Sequence, residues 1–103
     1  MIDKRSHARF PMALELTLIV AGERYSARSR DVSLGGMFIY TNVRVPFGAN
    51  VQVELKLPAL KEDIKLEAVA RWHQEGGVGL SFKSMRAREV WALNQLFKTS
   101  ASA

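Results

Sequence analysis

The chain has 103 residues, of which 48% are hydrophobic and 24% charged, a composition typical of one soluble globular domain with a modest core. It contains no cysteine, which excludes disulfides and thiolate metal sites, and its two histidines, His7 and His73, have no second ligand at metal spacing. The net charge of +5 lies at the two ends, since residues 1–30 and 83–103 each carry +3 whereas residues 31–82 carry −1.

Apart from Met1, the first nine residues contain one large apolar side chain, Ile2, and we expect residues 1–9 to form a mobile N-terminal arm outside the core. The apolar run over residues 10–21 follows basic residues, as in a signal peptide. Glu15 interrupts this run, however, and its apolar residues alternate with the two-residue period of a strand. No run reaches the roughly 18 apolar residues of a membrane span, so we expect a cytoplasmic protein.

Alternating hydrophobicity predicts six β-strands, at about residues 12–20, 24–31, 36–42, 51–57, 64–72 and 78–82. Turn-forming segments separate these strands, among them the turn at Gly22, the loop 46–50 and the glycine pair 76–77. The alternation in the fifth strand places Trp72 on the same face as Ala70. The strands therefore present one apolar face each to a common core.

The spacing changes to that of a helix over residues 85–98, where the apolar residues fall on one arc and Ser84 is the predicted N-cap. Trp91 lies outside this arc, and residues 99–103 form a small-residue tail that we expect to fray. Six short strands followed by one helix predict a mainly β fold. We expect a six-stranded antiparallel β-barrel with a C-terminal α-helix over residues 10–98.

The predicted arm carries two arginines in an RxxxR spacing, Arg5 and Arg9, with Lys4 directly before them. Two solvated arginines on a tail are the ordinary meaning of this spacing. On an extended segment, the forked guanidinium groups can also approach one anionic ligand from different sides. Such groups suit phosphates and the acceptor edge of guanine.

A second polar signature, DxSxxG, consists of Asp31, Ser33 and Gly36 at a turn between two predicted strands. It can form a strand-end turn, in which the polar side chains bond to nearby backbone N–H groups. It can also bind guanine, with Asp31 accepting from N1–H and N2–H, Ser33 bonding a neighbouring edge and Gly36 permitting close approach. Arg28 and Arg30, on the preceding strand, could border the same ligand.

Together, the two motifs and the strand pattern resemble the PilZ domain, a bacterial receptor module for cyclic di-GMP. The similarity extends to residues 68–72 and to the glycine-containing segment 77–82, and so covers about residues 4–98. It implies a six-stranded antiparallel barrel that binds cyclic di-GMP on its outer surface and has no catalytic residues. Arg5 and Arg9 would hold phosphates and the guanine acceptor edge. Asp31, Ser33 and Gly36 would bind the guanine.

The resemblance also suggests how a signal would be transmitted. We expect cyclic di-GMP to order residues 1–9 against the barrel and thereby to switch docking to a downstream protein. Lys4 and Arg30 are candidates to border the ligand, and Lys4 leaves open whether a single ligand or an intercalated dimer is bound.

Two alternatives remain beside the receptor. One is a PilZ-like adaptor that works through protein contacts and binds no nucleotide. The other is a basic nucleic-acid-binding barrel, which usually interleaves exposed aromatics with basic residues, whereas only Tyr25 and Tyr40 are obvious strand candidates here. An enzyme is not expected, because the sequence has no paired carboxylates and no histidine with an orienting acid nearby.

Overall fold

The protein is described by a computed structural model that covers residues 8–101. Residues 1–7 of the predicted arm and residues 102–103 of the predicted tail lie outside this range. The helices and strands are β1 Phe10–Pro11, β2 Glu15–Val20, β3 Glu23–Val32, β4 Gly36–Tyr40, β5 Asn50–Leu55, β6 Ile64–Gln74, β7 Gly77–Phe82 and α1 Ala87–Ala101. The six predicted strands and the C-terminal helix are confirmed, with the short strand β1 in addition.

The strands form one antiparallel sheet that closes on itself. Along the sheet the order is β3, β2, β5, β6, β7 and β4, and β4 pairs back with β3 to complete a six-stranded barrel. Strand β1 adds to β3 through Phe10, which pairs with Val32. The barrel and helix confirm the predicted fold class, and among residues 8–101 no helix is long and apolar enough to cross a bilayer.

Strand β1 precedes the predicted first strand, and β2 begins only at Glu15, because the side chain of Ser29 interrupts the pairing with β3 between them. The Ser29 hydroxyl accepts a hydrogen bond from the Leu14 N–H at 2.8 Å and donates one to the Met12 carbonyl at 2.7 Å. A buried hydroxyl thus satisfies the two backbone groups that leave the ladder. The segment between β1 and β2 therefore remains hydrogen-bonded to β3.

The core is built from alternate residues of the strands, which meet inside the barrel. Leu18, Val53, Leu66 and Leu80 are fully or almost fully buried there. Helix α1 contributes Leu93 and Phe97 of its predicted apolar arc to the same core, and Leu96 packs against it. Burying these side chains supplies the main stabilising free energy of the domain.

Helix α1 begins at Ala87 and not after Ser84, so the predicted N-cap is wrong. The Glu89 carboxylate accepts a hydrogen bond from the Arg86 N–H at 2.9 Å. This is one half of a capping box, and it makes Arg86 the N-cap residue. The helix continues to Ala101, past its predicted end at residue 98.

A β-bulge in β3 decides where the side chain of Asp31 points. Ser29 pairs with the core residue Ile39, whereas Asp31 pairs with Phe38, so that Arg30 is the extra residue. An extra residue reverses the inward and outward alternation beyond it. Without this bulge Asp31 would share the face of Ser29 and point into the barrel.

A second bulge, in β6, reverses the predicted face of Trp72. Ala70 pairs with the core residue Leu80, but Trp72 pairs with Gly79, which leaves Arg71 as the extra residue. The sequence alternation placed Trp72 on the same face as Ala70, and this prediction is wrong. The bulge moves the indole to the outer wall of the barrel, the wall on which Asp31 lies.

Candidate functional site

The two bulges align four residues in one row across the outer wall of the barrel. The row runs through strands β3, β4, β7 and β6, and its members are Asp31, Phe38, Gly79 and Trp72. Neighbouring strands lie about 4.8 Å apart, so the row brings side chains distant in sequence into contact range. The outer wall around this row is the candidate site.

The DxSxxG turn forms one edge of this site. The Ser33 hydroxyl accepts hydrogen bonds from the N–H groups of Gly35 and Gly36, both at 3.1 Å, and donates to the Gly36 carbonyl at 3.3 Å. A Cβ on Gly36 would lie 2.0 Å from the carbonyl oxygen of Leu80, which explains the requirement for glycine. In the described residues, the contacts of Ser33 and Gly36 are those of a strand-end turn that fixes Asp31.

Asp31 lies at the centre of the site and contacts two arginines. Arg9 Nη2 donates to its Oδ1, and Arg30 Nε donates to its Oδ2 at 2.8 Å. Only 13% of the Asp31 side chain is exposed. Because both oxygens bond to guanidinium groups in a partly buried setting, these hydrogen bonds are of the stronger, charge-assisted kind.

Arg9 reaches this site because the residue after it is anchored. The Phe10 ring stacks on that of Phe97 in α1, with the centroids 4.4 Å apart and the planes 11° apart. The Arg9 guanidinium carbon lies 5.6 Å from the centroid of the Trp72 ring, within range of a cation–π contact. One member of each motif, Arg9 and Asp31, is thus brought together by contacts with β3, β6 and α1.

Aromatic rings form the floor of the site. A Cβ on Gly79 would lie 2.0 to 2.2 Å from three atoms of the Trp72 ring, so this ring packs directly on the backbone of β7. Trp72 is still 36% exposed. Phe38 also faces outward but is buried, because the Arg30 guanidinium covers it at 4.0 Å from the ring centroid.

The predicted site residues differ in how closely the structure brings them together. Arg9 and Asp31 are in contact, Arg30 borders them, and Ser33 and Gly36 build the turn beside them. Arg5 and Lys4 lie outside the described residues.

Three residues of the site were not predicted from the sequence: Phe38, Trp72 and Gln74. The Gln74 side chain takes part because its Oε1 accepts a hydrogen bond from Arg30 Nη1 at 2.8 Å. Their position on the outer wall depends on the bulges, and the alternation of the sequence gave no sign of it.

Chemically, the site offers an oriented carboxylate, two guanidinium groups and a partly exposed indole face. The carboxylate can accept from paired N–H donors, the guanidinium groups can bind phosphate, and the indole can stack on a base. Among the described residues no group of three His, Asp or Glu side chains could hold a metal ion. The arrangement therefore suits an organic ligand that is both anionic and aromatic.

The sequence and the fold are similar to those of known proteins. The PilZ domain model matches residues 3–98. The structure resembles the Bacillus subtilis inhibitor of motility MotI/DgrA with a TM-score of 0.75 and 17% identity, over 94% of this chain and 53% of that one. It resembles the PilZ domain of CeSA from a cellulose-synthesizing bacterium with a TM-score of 0.67 and 15% identity, over 86% of this chain and 93% of that one. At these identities the two structures show the fold.

The chain spans about half the length of the MotI/DgrA chain. No curated protein matches its sequence.

Proposed function

The chain belongs to the PilZ domain family, and from this we propose that it is a receptor for cyclic di-GMP which acts as an adaptor toward a downstream protein. PilZ domains are non-catalytic, so the ligand is a signal and not a substrate. Because cyclic di-GMP is a bacterial second messenger, the proposal also places the protein in a bacterial cytoplasm.

The observation that carries this proposal is the contact between Arg9 and Asp31, one residue from each motif, 22 positions apart in the chain. Asp31 would accept from the N1–H and N2–H of a guanine, and Arg9 would hold a phosphate or the acceptor edge. Trp72 supports the same assignment, since its exposed face could stack on the base. Arg5 and Lys4 are assigned to the ligand by the motif and its sequence position alone.

The ligand would replace the ion pair without leaving a charge unpaired. Its phosphate would take the guanidinium of Arg9, and its guanine N–H groups would take the carboxylate of Asp31. Breaking a partly buried ion pair is costly when one partner is left alone, and this exchange avoids that cost. The ion pair can therefore close the site in the free protein and still yield to cyclic di-GMP.

The same contacts support a route from the ligand to a partner. Arg9 is followed directly by Phe10, which stacks on Phe97 of α1. If the ligand moves Arg9, the movement passes to Phe10 and then to the helix. We propose that this step, with the ordering of residues 1–9, changes the surface offered to the downstream protein.

Calorimetric titration with cyclic di-GMP tests the proposal. We expect the wild type to bind, and Arg9→Ala and Asp31→Ala each to lose about tenfold or more in affinity, the value of one charge-assisted hydrogen bond. Arg28→Ala is the matched control, because Arg28 lies on β3 beside the site but pairs with Glu15 at 3.0 Å. The absence of heat from the wild type at ligand concentrations on the order of tens of micromolar would contradict the proposal.

A second candidate is an adaptor that binds no nucleotide. It is favoured by the complete pairing of the site, since both oxygens of Asp31 and the hydroxyl of Ser33 have partners in the described residues. The same titration separates the two candidates. The nucleotide-free adaptor predicts that the Arg9–Asp31 pair only stabilises the fold, so that its loss lowers the melting temperature while the wild type gives no binding heat.

A further inference from the structure

We propose that Arg30 is a positioning residue, which holds the Asp31 carboxylate in the orientation that selects guanine over adenine. This inference rests on the proposed function and adds a residue that belongs to neither motif. Arg30 is the extra residue of the β3 bulge and lies directly before Asp31. The bulge allows two consecutive residues of one strand to meet on the outer wall.

Arg30 is held from three directions. Its Nε donates to Asp31 Oδ2 at 2.8 Å, and its Nη1 donates to Gln74 Oε1 at 2.8 Å. Its guanidinium carbon lies 4.0 Å from the centroid of the Phe38 ring, which is almost fully buried. A planar fork that makes two hydrogen bonds and covers a ring has little freedom to rotate, and a lysine ammonium cannot make all three contacts together.

The two arginines on Asp31 are therefore not equivalent. Arg30 is fixed by β3, by Gln74 on β6 and by Phe38 on β4. Within residues 8–101, Arg9 has one hydrogen-bond partner, the Asp31 carboxylate, and one cation–π contact, with Trp72. We infer that Arg9 exchanges its bond to Asp31 for a bond to the ligand when the ligand binds, whereas Arg30 stays bonded to Asp31 Oδ2. Oδ1 then faces the ligand, and because each carboxylate oxygen has two lone pairs, Oδ2 can keep its bond to Arg30 and still accept a second donor beside Oδ1.

A fixed carboxylate discriminates between bases by the protons they present. Guanine offers two adjacent donors, N1–H and N2–H, to a carboxylate. Adenine offers one amino donor beside the lone pair of N1, which faces the carboxylate without a proton between them. A site built for two donors rejects the base that lacks one of them, because its acceptor is left unpaired. If the carboxylate could rotate, part of this discrimination would be lost.

The test compares cyclic di-GMP with cyclic di-AMP by calorimetry on the full chain. We expect Arg30→Ala and Arg30→Lys each to weaken cyclic di-GMP binding about tenfold and to reduce its preference over cyclic di-AMP. Gln74→Ala, which removes the support and not the contact with Asp31, should produce a smaller loss in the same direction. Arg28→Ala should change neither affinity nor preference, since it bonds to Glu15 instead.

Several outcomes would overturn the inference. Unchanged or tighter binding by Arg30→Ala would mean that Arg30 is irrelevant or blocks the carboxylate. Full affinity in Arg30→Lys would mean that only the charge matters, as in a direct phosphate contact. An equal loss for both ligands in every variant would indicate a general structural role, which melting temperatures of the same proteins would also register.

Failure of the proposed function can be distinguished from failure of the Arg30 inference, because in the first case the wild type binds neither cyclic di-GMP nor cyclic di-AMP. The contacts of Arg30 can be tested without ligand in that case. We expect the Nε–H signal of Arg30 in the NMR spectrum of the free protein to be slow to exchange, unlike that of Arg28, to lose this protection in Asp31→Ala and to lose part of it in Gln74→Ala. Identical behaviour of the two arginines would overturn the positioning role.

Discussion

Replacing Gly79 by alanine tests how Trp72 forms the floor of the site. The new Cβ would lie 2.0 Å from Trp72 Cε2 and 2.2 Å from Cδ2 and Cζ2. Real side chains do not approach so closely, so the ring must move. Since Trp72 is 36% exposed, it can swing outward while the barrel stays closed. The cost is then the packing of the ring on β7, about 1–3 kcal/mol.

Thermal unfolding followed by circular dichroism measures this cost. In a domain of this size, each kcal/mol corresponds to a fall in melting temperature of about 4–8 °C. A double-mutant cycle with Trp72→Ala makes the test specific. The three atoms nearest to the new Cβ all belong to Trp72. In the Trp72→Ala background, Gly79→Ala should therefore be neutral or slightly stabilising, because alanine costs less conformational entropy than glycine in a strand.

Additive costs in this cycle would refute the argument, because they would show that the new methyl group does not collide with Trp72. An unchanged melting temperature for Gly79→Ala alone would do the same. The ring would then not lie on β7, and the floor of the candidate site would have a different structure.

Three further substitutions address the rest of the molecule. Gly36→Ala places a Cβ 2.0 Å from the main-chain oxygen of Leu80, so it should lower the melting temperature more than Gly79→Ala does; a mild effect would contradict the close approach of β4 and β7. Glu89→Ala removes the cap on α1 and should lower the unfolding free energy in urea by about 1 kcal/mol, whereas a loss as large in Glu89→Gln would speak against capping. Phe10→Ala removes the stack on Phe97 and releases the segment that carries Arg9, so calorimetry should show severalfold weaker cyclic di-GMP binding. An unchanged affinity of Phe10→Ala for cyclic di-GMP would show that the Phe10–Phe97 stack does not help to position Arg9.

The barrel could be predicted from sequence because its strands bury one face each. Val51, Val53 and Leu55 alternate with polar residues in the sequence and are buried in the structure. The burial of alternate residues is a direct consequence of strand geometry, so it is visible without coordinates. The arc of α1 is visible for the same reason, and Trp91, which falls outside it, is 53% exposed.

The faces of residues beyond a bulge could not be predicted. One extra residue at Arg71 reverses the side on which Trp72 lies, and the composition of the strand does not mark the position. The hydrogen bond between Arg30 and Gln74 joins residues 44 positions apart and depends on the closure of the barrel. Sequence motifs predicted Arg9 and Asp31 as site residues, whereas the residues that contact them follow only from the three-dimensional arrangement.

The chain carries an internal probe for the central claim, that cyclic di-GMP binds on the outer wall between Arg9 and Asp31. Its two tryptophans lie in different places: Trp72 packs on the site floor, and Trp91 is exposed on α1. Titration of 15N-labelled protein with cyclic di-GMP should shift the Trp72 indole signal saturably, together with the amides of Asp31 and Gly79. An indole signal of Trp72 that stays in place at saturating ligand, or shifts confined to other surfaces of the barrel, would contradict the account.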